Sequence, residues 1–274
     1  MSFSEDFKHI FRRSDNGHVK LIVINLIVFV LCNLIDLVYP FSQLFSLAAN
    51  KDVFISHFWG LFTYMFLHKD AMHILFNMLW LYWMGTIFIE FLGSRRLVVV
   101  YIIGGLCGGL LFLLLGNFLW TEGQLVLLMG ASGSVMAVVV AVAALVPDYT
   151  IHLMFFGPVR LKYLALFSFV TTTLLDLNVN TGGKIAHMGG ALFGLLYTLQ
   201  YKRGFDMTNI TKIFERRSKM KVAYKRKVSD EDYNLSKREL QRKVDEILDK
   251  ISKSGYESLS KEEKEILFKA SDKK

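Results

Sequence analysis

The chain has 274 residues, 53% of them hydrophobic, a mean hydropathy of +0.38 and a formal net charge of +8. The charge is uneven: residues 1–200 carry 11 Lys/Arg against 10 Asp/Glu, and residues 201–274 carry 21 against 14. That asymmetry excludes a uniform soluble domain and describes an apolar membrane body followed by a basic soluble tail. The two cysteines, Cys32 and Cys107, each lie inside an apolar run, which excludes a disulfide framework and a cysteine metal site.

In chain order, residues 1–18 form a polar cytoplasmic segment with Lys8, Arg12 and Arg13. An apolar run over 19–39 follows, interrupted by Asn25, Asn33 and Asp36 and closed by Pro40. It is longer than the apolar region of a signal peptide, about 7–15 residues, and reads as a first transmembrane helix. Residues 40–70 mix polar positions with Phe41, Phe45, Phe54, Phe58, Trp59, Phe62 and Tyr64. This composition fits a segment lying at the membrane interface.

Apolar runs then recur at about 71–92, 97–117, 131–147, 159–176 and 184–201, each near the length that crosses a hydrocarbon core of about 30 Å. Six spans result. Arg95/Arg96, Arg160/Lys162 and Lys202/Arg203 fall on one side; Lys51, Lys69 and Lys184 fall on the other. The positive-inside rule therefore places both termini in the cytoplasm of a multi-pass protein of the cell (inner) membrane.

Residues 203–235 read as a basic linker, with Arg216/Arg217 and Lys225-Arg226-Lys227. Contact with anionic lipid headgroups is the simpler account of these clusters, ahead of a nucleic-acid arm. Over 236–274 a small amphipathic helical tail is expected. Ser236-Lys237-Arg238-Glu239 has capping-box form, with Leu240, Val244, Ile247, Leu248 and Ile251 at helical spacing up to Gly255. Ser260-Lys261-Glu262-Glu263 repeats the signal before Ile266, Leu267 and Phe268.

This topology starts spans two, four and six at the outer face, so His73, Ser132 and His187 share a depth a little below it. Ser132 is a weak nucleophile that needs a base, and His187 is the candidate, since the unperturbed pKa of an imidazole suits proton transfer near neutral pH. Ser132 also stands at a helix start, where unpaired N–H groups favour an oxyanion, although the serine of a GxSG tetrapeptide is as readily an N-cap. His73 and Asn77 lie one turn apart and both can donate to an oxyanion. Gly190 and Gly194 share the face of His187, and Gly133, Ala137 and Ala141 form a small-residue face beside Ser132, so spans four and six are expected to pack directly. His68 reads as structural, as does Asp176 at the outer end of span five.

These residues together resemble the rhomboid family of intramembrane serine proteases over residues 55–201. The resemblance runs through Trp59 to Thr63, His68, His73-Ile74-Leu75-Phe76-Asn77, Gly85, Leu92-Gly93-Ser94, Tyr101, Gly130-Ala131-Ser132-Gly133 and Ala186-His187-Met188-Gly189-Gly190 to Gly194. It implies an all-α membrane protein, a six-helix rhomboid-like bundle over 19–202 with an interfacial first outer loop. Ser132 would be the nucleophile and His187 the general base and acid, with His73, Asn77 and the Ser132 N–H around the oxyanion. Substrates would be transmembrane segments of membrane proteins cut near the outer face, with span five (Phe167, Phe169) as a side gate and no metal or cofactor. Three departures stand out: Gly60 replaces an arginine, Glu90 is shifted by one residue, and Met136 stands where an aromatic ring stacks on the histidine. The alternative is a catalytically silent rhomboid-like scaffold or trafficking factor that binds transmembrane helices. A six-span transporter is disfavoured, because Asp36, Glu90 and Asp176 lie near span ends.

Overall fold

A computed structural model of the chain describes residues 16–119, 125–153, 157–174, 181–208 and 230–271. It contains two compact units, Met1–Glu215 and Arg216–Lys274. Asp176 and residues 209–229 of the expected linker lie outside the described residues.

The first unit is a helical membrane bundle. Its long helices are α1 (Gly17–Asp36), α5 (Ala71–Leu92), α6 (Ser94–Leu119), α7 (Ser132–Leu145), α8 (Leu161–Phe169, prolonged by a π-helical turn over Val170–Leu174) and α9 (Thr181–Lys202). The loop after α1 folds into three short helices, α2 (Phe41–Phe45), α3 (Lys51–Ser56) and α4 (Gly60–Thr63). Two small antiparallel pairs are absent from the sequence reading. Strand β1 (Leu47–Ala48) pairs with β2 (Leu127–Leu128), and β3 (Thr150–Leu153) forms a hairpin with β4 (Gly157–Arg160). Pairs this short carry no usable alternation of apolar and polar residues.

Helices α1, α5 and α6 are long and apolar enough to cross a membrane by themselves. The fourth span is shorter than the expected 131–147, and the fifth starts at Leu161 rather than 159. At 14 residues α7 is only about 21 Å long. It lies at the centre of the bundle, with ten buried residues from Gly133 to Ala143, and irregular backbone at its ends is tolerated inside a membrane because protein rather than lipid surrounds it.

Small residues let α9 lie directly along α7. A Cβ added to Gly190 would collide with the Gly133 carbonyl, and one added to Gly194 with that of Ala137. One turn further on, Thr198 Oγ1 donates to Ala141 O at 2.8 Å, and then Lys202 Nζ to Ala144 O at 2.8 Å. These rungs advance together, so the two helices run parallel. On its other side α9 meets α6, where a Cβ on Gly189 would lie 2.8 Å from both Cys107 O and Gly108 Cα.

Buried polar ties hold the first loop against α6. Tyr64 Oη donates to Gly105 O at 2.6 Å, and Tyr101 Oη donates to Met65 O at 3.1 Å. Asn25, fully buried in α1, donates to Leu21 O (2.8 Å) and the Tyr101 hydroxyl (3.2 Å). Gly60 has a structural reason: a Cβ there would strike the Ser46 carbonyl, so the loop closes where an arginine would stand. Trp59 Nε1 to Leu44 O (2.8 Å) and Thr63 Oγ1 to Phe45 O (2.6 Å) anchor it instead.

At the opposite end Glu90 is exposed, and the clamp there is Arg96. Its Nε lies 2.8 Å from Asp206 Oδ2, its Nη1 donates to Leu92 O (2.9 Å), and its guanidinium covers the Tyr201 ring at 5.5 Å. Burial raises the Asp206 pKa, but hydrogen bonds from Thr208 and Arg96 outweigh it and hold the carboxyl below its ordinary 3.8. A depressed pKa contributes stability above the unfolded-state value, and that stability is lost as pH falls through the folded-state value. Asp206→Asn is therefore expected to lower stability by about 1–2 kcal/mol at pH 7. In thermal melts in detergent, the gap from the parent should close as the pH drops below 3.8. A gap independent of pH would assign the loss to packing.

The second unit is a helical hairpin of α10 (Asp230–Ser254) and α11 (Lys261–Ser271), with Ile247 and Leu259 buried. The box at Ser260 forms as expected: Ser260 N donates to Glu263 Oε2 (2.7 Å) and Glu263 N to Ser260 Oγ (3.2 Å). Ser236 is not an N-cap, because it lies within α10, which is already helical at Asp230.

Candidate active site

The segment before α7 is shaped by the first loop. Gly130 N donates to Tyr64 O at 2.9 Å, and Ala131 N points at His68 Nε2 at 3.5 Å. His68 is buried. Burial, then the neighbouring His73 ring, push its pKa from 6.5 down to about 3, so the ring is neutral and its Nε2 is an acceptor. Its edge meets the His73 ring with centroids 5.1 Å apart. His68 is thus structural, as its sequence position suggests, but it also lines the cavity that holds the other polar groups.

Gly130 has φ of +133°, a conformation that side chains avoid. A Cβ there would also lie 2.7 Å from His73 Cε1, 2.8 Å from His73 Nε2 and 3.8 Å from Ser132 Oγ. The space that glycine leaves is where the His73 ring edge and the serine hydroxyl come together. Ser132 is the first residue of α7, whose opening turn leaves N–H groups without intrahelical partners.

His73 and Asn77 sit on the first turns of α5, whose start Asp70 caps by accepting from His73 N at 2.8 Å. Asn77 Nδ2 donates to His73 O at 2.9 Å. An amide nitrogen carries two hydrogens, so that bond uses one of them.

His187 stands in the second turn of α9, one turn before the Gly190–Gly133 crossing. Ala186 O lies 3.1 Å from the position of a Gly133 Cβ, so the backbones beside Ser132 and His187 are in contact. Thr173 Oγ1, buried on the π-helical turn after α8, is 3.5 Å from His187 Nδ1. The sequence reading missed Thr173. Its signal was a run of hydroxyls in an apolar span, Ser168 and Thr171 to Thr173, of which Ser168, Thr171 and Thr172 line the same cavity. Phe167 is 65% exposed on the outer surface of α8.

One cavity of about 1170 Å³ collects His68, His73, Asn77, Ser132, Met136 and His187. Asn33, Asp36, Ser42, Gln43, Lys69 and Asp70 form its polar rim, and Phe76, Trp80, Val135 and Val139 its apolar wall. Metal-ligand clusters of three or more His, Cys, Asp or Glu are absent among the described residues.

A helical membrane bundle that opens one cavity onto a helix-start serine and several imidazoles defines a class: polytopic membrane proteins with a polar cavity among their helices. The Rhomboid domain model matches residues 56–203, more than half of the chain, which belongs to the rhomboid family. It is 31% identical over 157 residues to RHOMBOID-like protein 12, mitochondrial, of Arabidopsis thaliana, covering 53% of this chain and 46% of that protein. Over 51 residues it is 43% identical to the Rhomboid protease GlpG of Salmonella newport, covering 19% of this chain and 18% of that protein. The chain therefore spans less than half the length of either relative. Residues 228–273 match a separate family of unknown function, DUF6576.

Proposed function

We propose that this protein is an intramembrane serine endopeptidase that cuts transmembrane segments of membrane proteins near the outer face, with both termini in the cytoplasm of the cell (inner) membrane. Family membership supports the class of activity. The observation that carries the assignment of residues is the glycine crossing of α7 and α9, which puts the backbones at Ser132 and His187 side by side on one cavity.

In this reading His187 removes the proton of Ser132 Oγ as the oxygen attacks the scissile carbonyl of an unwound substrate segment. The carbonyl oxygen takes the negative charge and is met by the Ser132 N–H, His73 and Asn77. His187 then gives its proton to the leaving amine, and water, activated by the same imidazole, hydrolyses the acyl-enzyme. Thr173, 3.5 Å from Nδ1, supports the ring, a task for which Met136 offers no aromatic face. The chemistry requires no metal or cofactor.

Labelling of the purified protein with a fluorophosphonate probe tests this directly. Labelling that is lost in Ser132→Ala and in His187→Ala supports an activated serine. A folded parent that neither labels nor cleaves a transmembrane substrate in lipid would overturn the reading in favour of a silent scaffold.

The oxyanion role is tested separately. His73→Ala and Asn77→Ala are each expected to lower kcat about 10²–10³-fold, with smaller changes in KM, because the donors act where charge develops. Loss confined to KM would assign both residues to substrate binding.

A further inference from the structure

A second cavity lies against α8. It is an apolar groove of about 620 Å³ lined by α7, α8 and α9 with Leu111 of α6, sharing no residue with the candidate active site. Ala165, Leu166 and Phe169 of α8 face Met188, Ala191 and Leu195 of α9 across it. Its walls are hydrocarbon, and its mouth is cationic. Lys162 lines the groove directly, where α8 begins. Lys202 reaches the same end, its Nζ 2.8 Å from the carbonyl of Ala144, another lining residue. Arg160 adds a third cation. Asp148 answers them, 2.8 Å from Lys162 Nζ and 3.3 Å from Arg160 Nη1. Three cations against one carboxylate leave a positive excess at the level of the helix ends.

An apolar slot that ends at such a mouth matches the two parts of one molecule. We propose that the groove holds an acyl chain of an anionic phospholipid, with the phosphate at Lys162 and Lys202. The occupant's charge follows from the mouth, and its chain from the walls, since every other lining residue is apolar. The arrangement puts a lipid against α8, beside the face (Ser168, Thr171, Thr172) that borders the candidate active site. The proposal does not depend on the peptidase reading.

The test uses full-length Ser132→Ala protein in nanodiscs of phosphatidylcholine with a minor fraction of phosphatidylglycerol, with retained lipids counted by native mass spectrometry. One phosphatidylglycerol is expected to stay bound. Its retention should fall at least tenfold in Lys162→Gln/Lys202→Gln, each lysine near a membrane surface being worth about fivefold. Asp148→Asn should raise retention, because it frees Lys162. Ala191→Trp, which fills the slot, should lower retention of both lipids, and glycerol phosphate should not compete. The proposal is overturned if the lysine pair changes nothing, if glycerol phosphate displaces the lipid, or if a dimer that Ala191→Trp abolishes occupies the groove instead. The lysine variants leave the buried core untouched, so they decide the matter even if Ala191→Trp fails to fold.

Discussion

Replacing Ser132 by alanine is expected to reduce cleavage of a transmembrane substrate by about 10⁴-fold or more and to abolish fluorophosphonate labelling. His187→Ala should do nearly as much, and the double variant no more than either alone, because a nucleophile and its base act as a unit. Ser134, two residues on, cannot stand in. It is fully buried, with its hydroxyl against Met65 Sδ at 3.7 Å, on the far side of the helix from the cavity. Cleavage that persists in folded Ser132→Ala protein would mean a different nucleophile. Additive losses in the double variant would mean that the two side chains work separately. Either result would remove the dyad while leaving family membership intact.

The second large effect is expected at Gly190. A methyl group there meets the backbone carbonyl of Gly133, and neither helix can yield by turning a side chain. Gly190→Ala should therefore cost about 1–3 kcal/mol of stability, the usual range for overpacking. Activity should fall by more than that loss explains, because pushing α9 away from α7 also draws His187 from Ser132. Misplacement of reacting groups by about 1 Å can cost 100-fold in rate. Leu199→Ala, on the outward face of α9, serves as the control and should change both quantities little. The decisive measurement is kcat at a temperature where melting curves show the variant fully folded. A Gly190→Ala protein with parental kcat would show that the crossing is not needed to hold the two residues together.

Truncation follows the same logic. Removing residues 204–274 leaves the helices of the bundle whole, but it takes away Asp206, the partner of Arg96. The compact unit runs to Glu215, so a shortened protein that keeps the clamp ends there rather than at residue 203.

Much of this was legible from residue order. Long apolar runs mark where the chain can cross a bilayer, because their length matches its hydrocarbon core, and the small residues Gly133, Ala137, Gly190 and Gly194 announce a close helix contact at four-residue spacing. The motifs at His73, Ser132 and His187 could be placed at one end of the bundle from span parity alone. Thr173, the β1–β2 pair and the role of Gly60 could not. Each depends on a neighbour far away in the chain: the imidazole of His187, the strand at Leu127–Leu128, the carbonyl of Ser46. Single-sequence patterns report local periodicity and carry no record of such partners.

By itself, then, the sequence determined the membrane body, the family, and the residue types available for chemistry. Hydrophobicity and side-chain chemistry are local properties, written one residue at a time. Only the tertiary structure decided what those residues face: a glycine at 130 with the His73 ring edge in the space it leaves, a threonine beside His187, an arginine clamp at Asp206, and a cationic groove beside α8. Distances between helices are set by which small residues meet across an interface, and that is settled when the bundle packs.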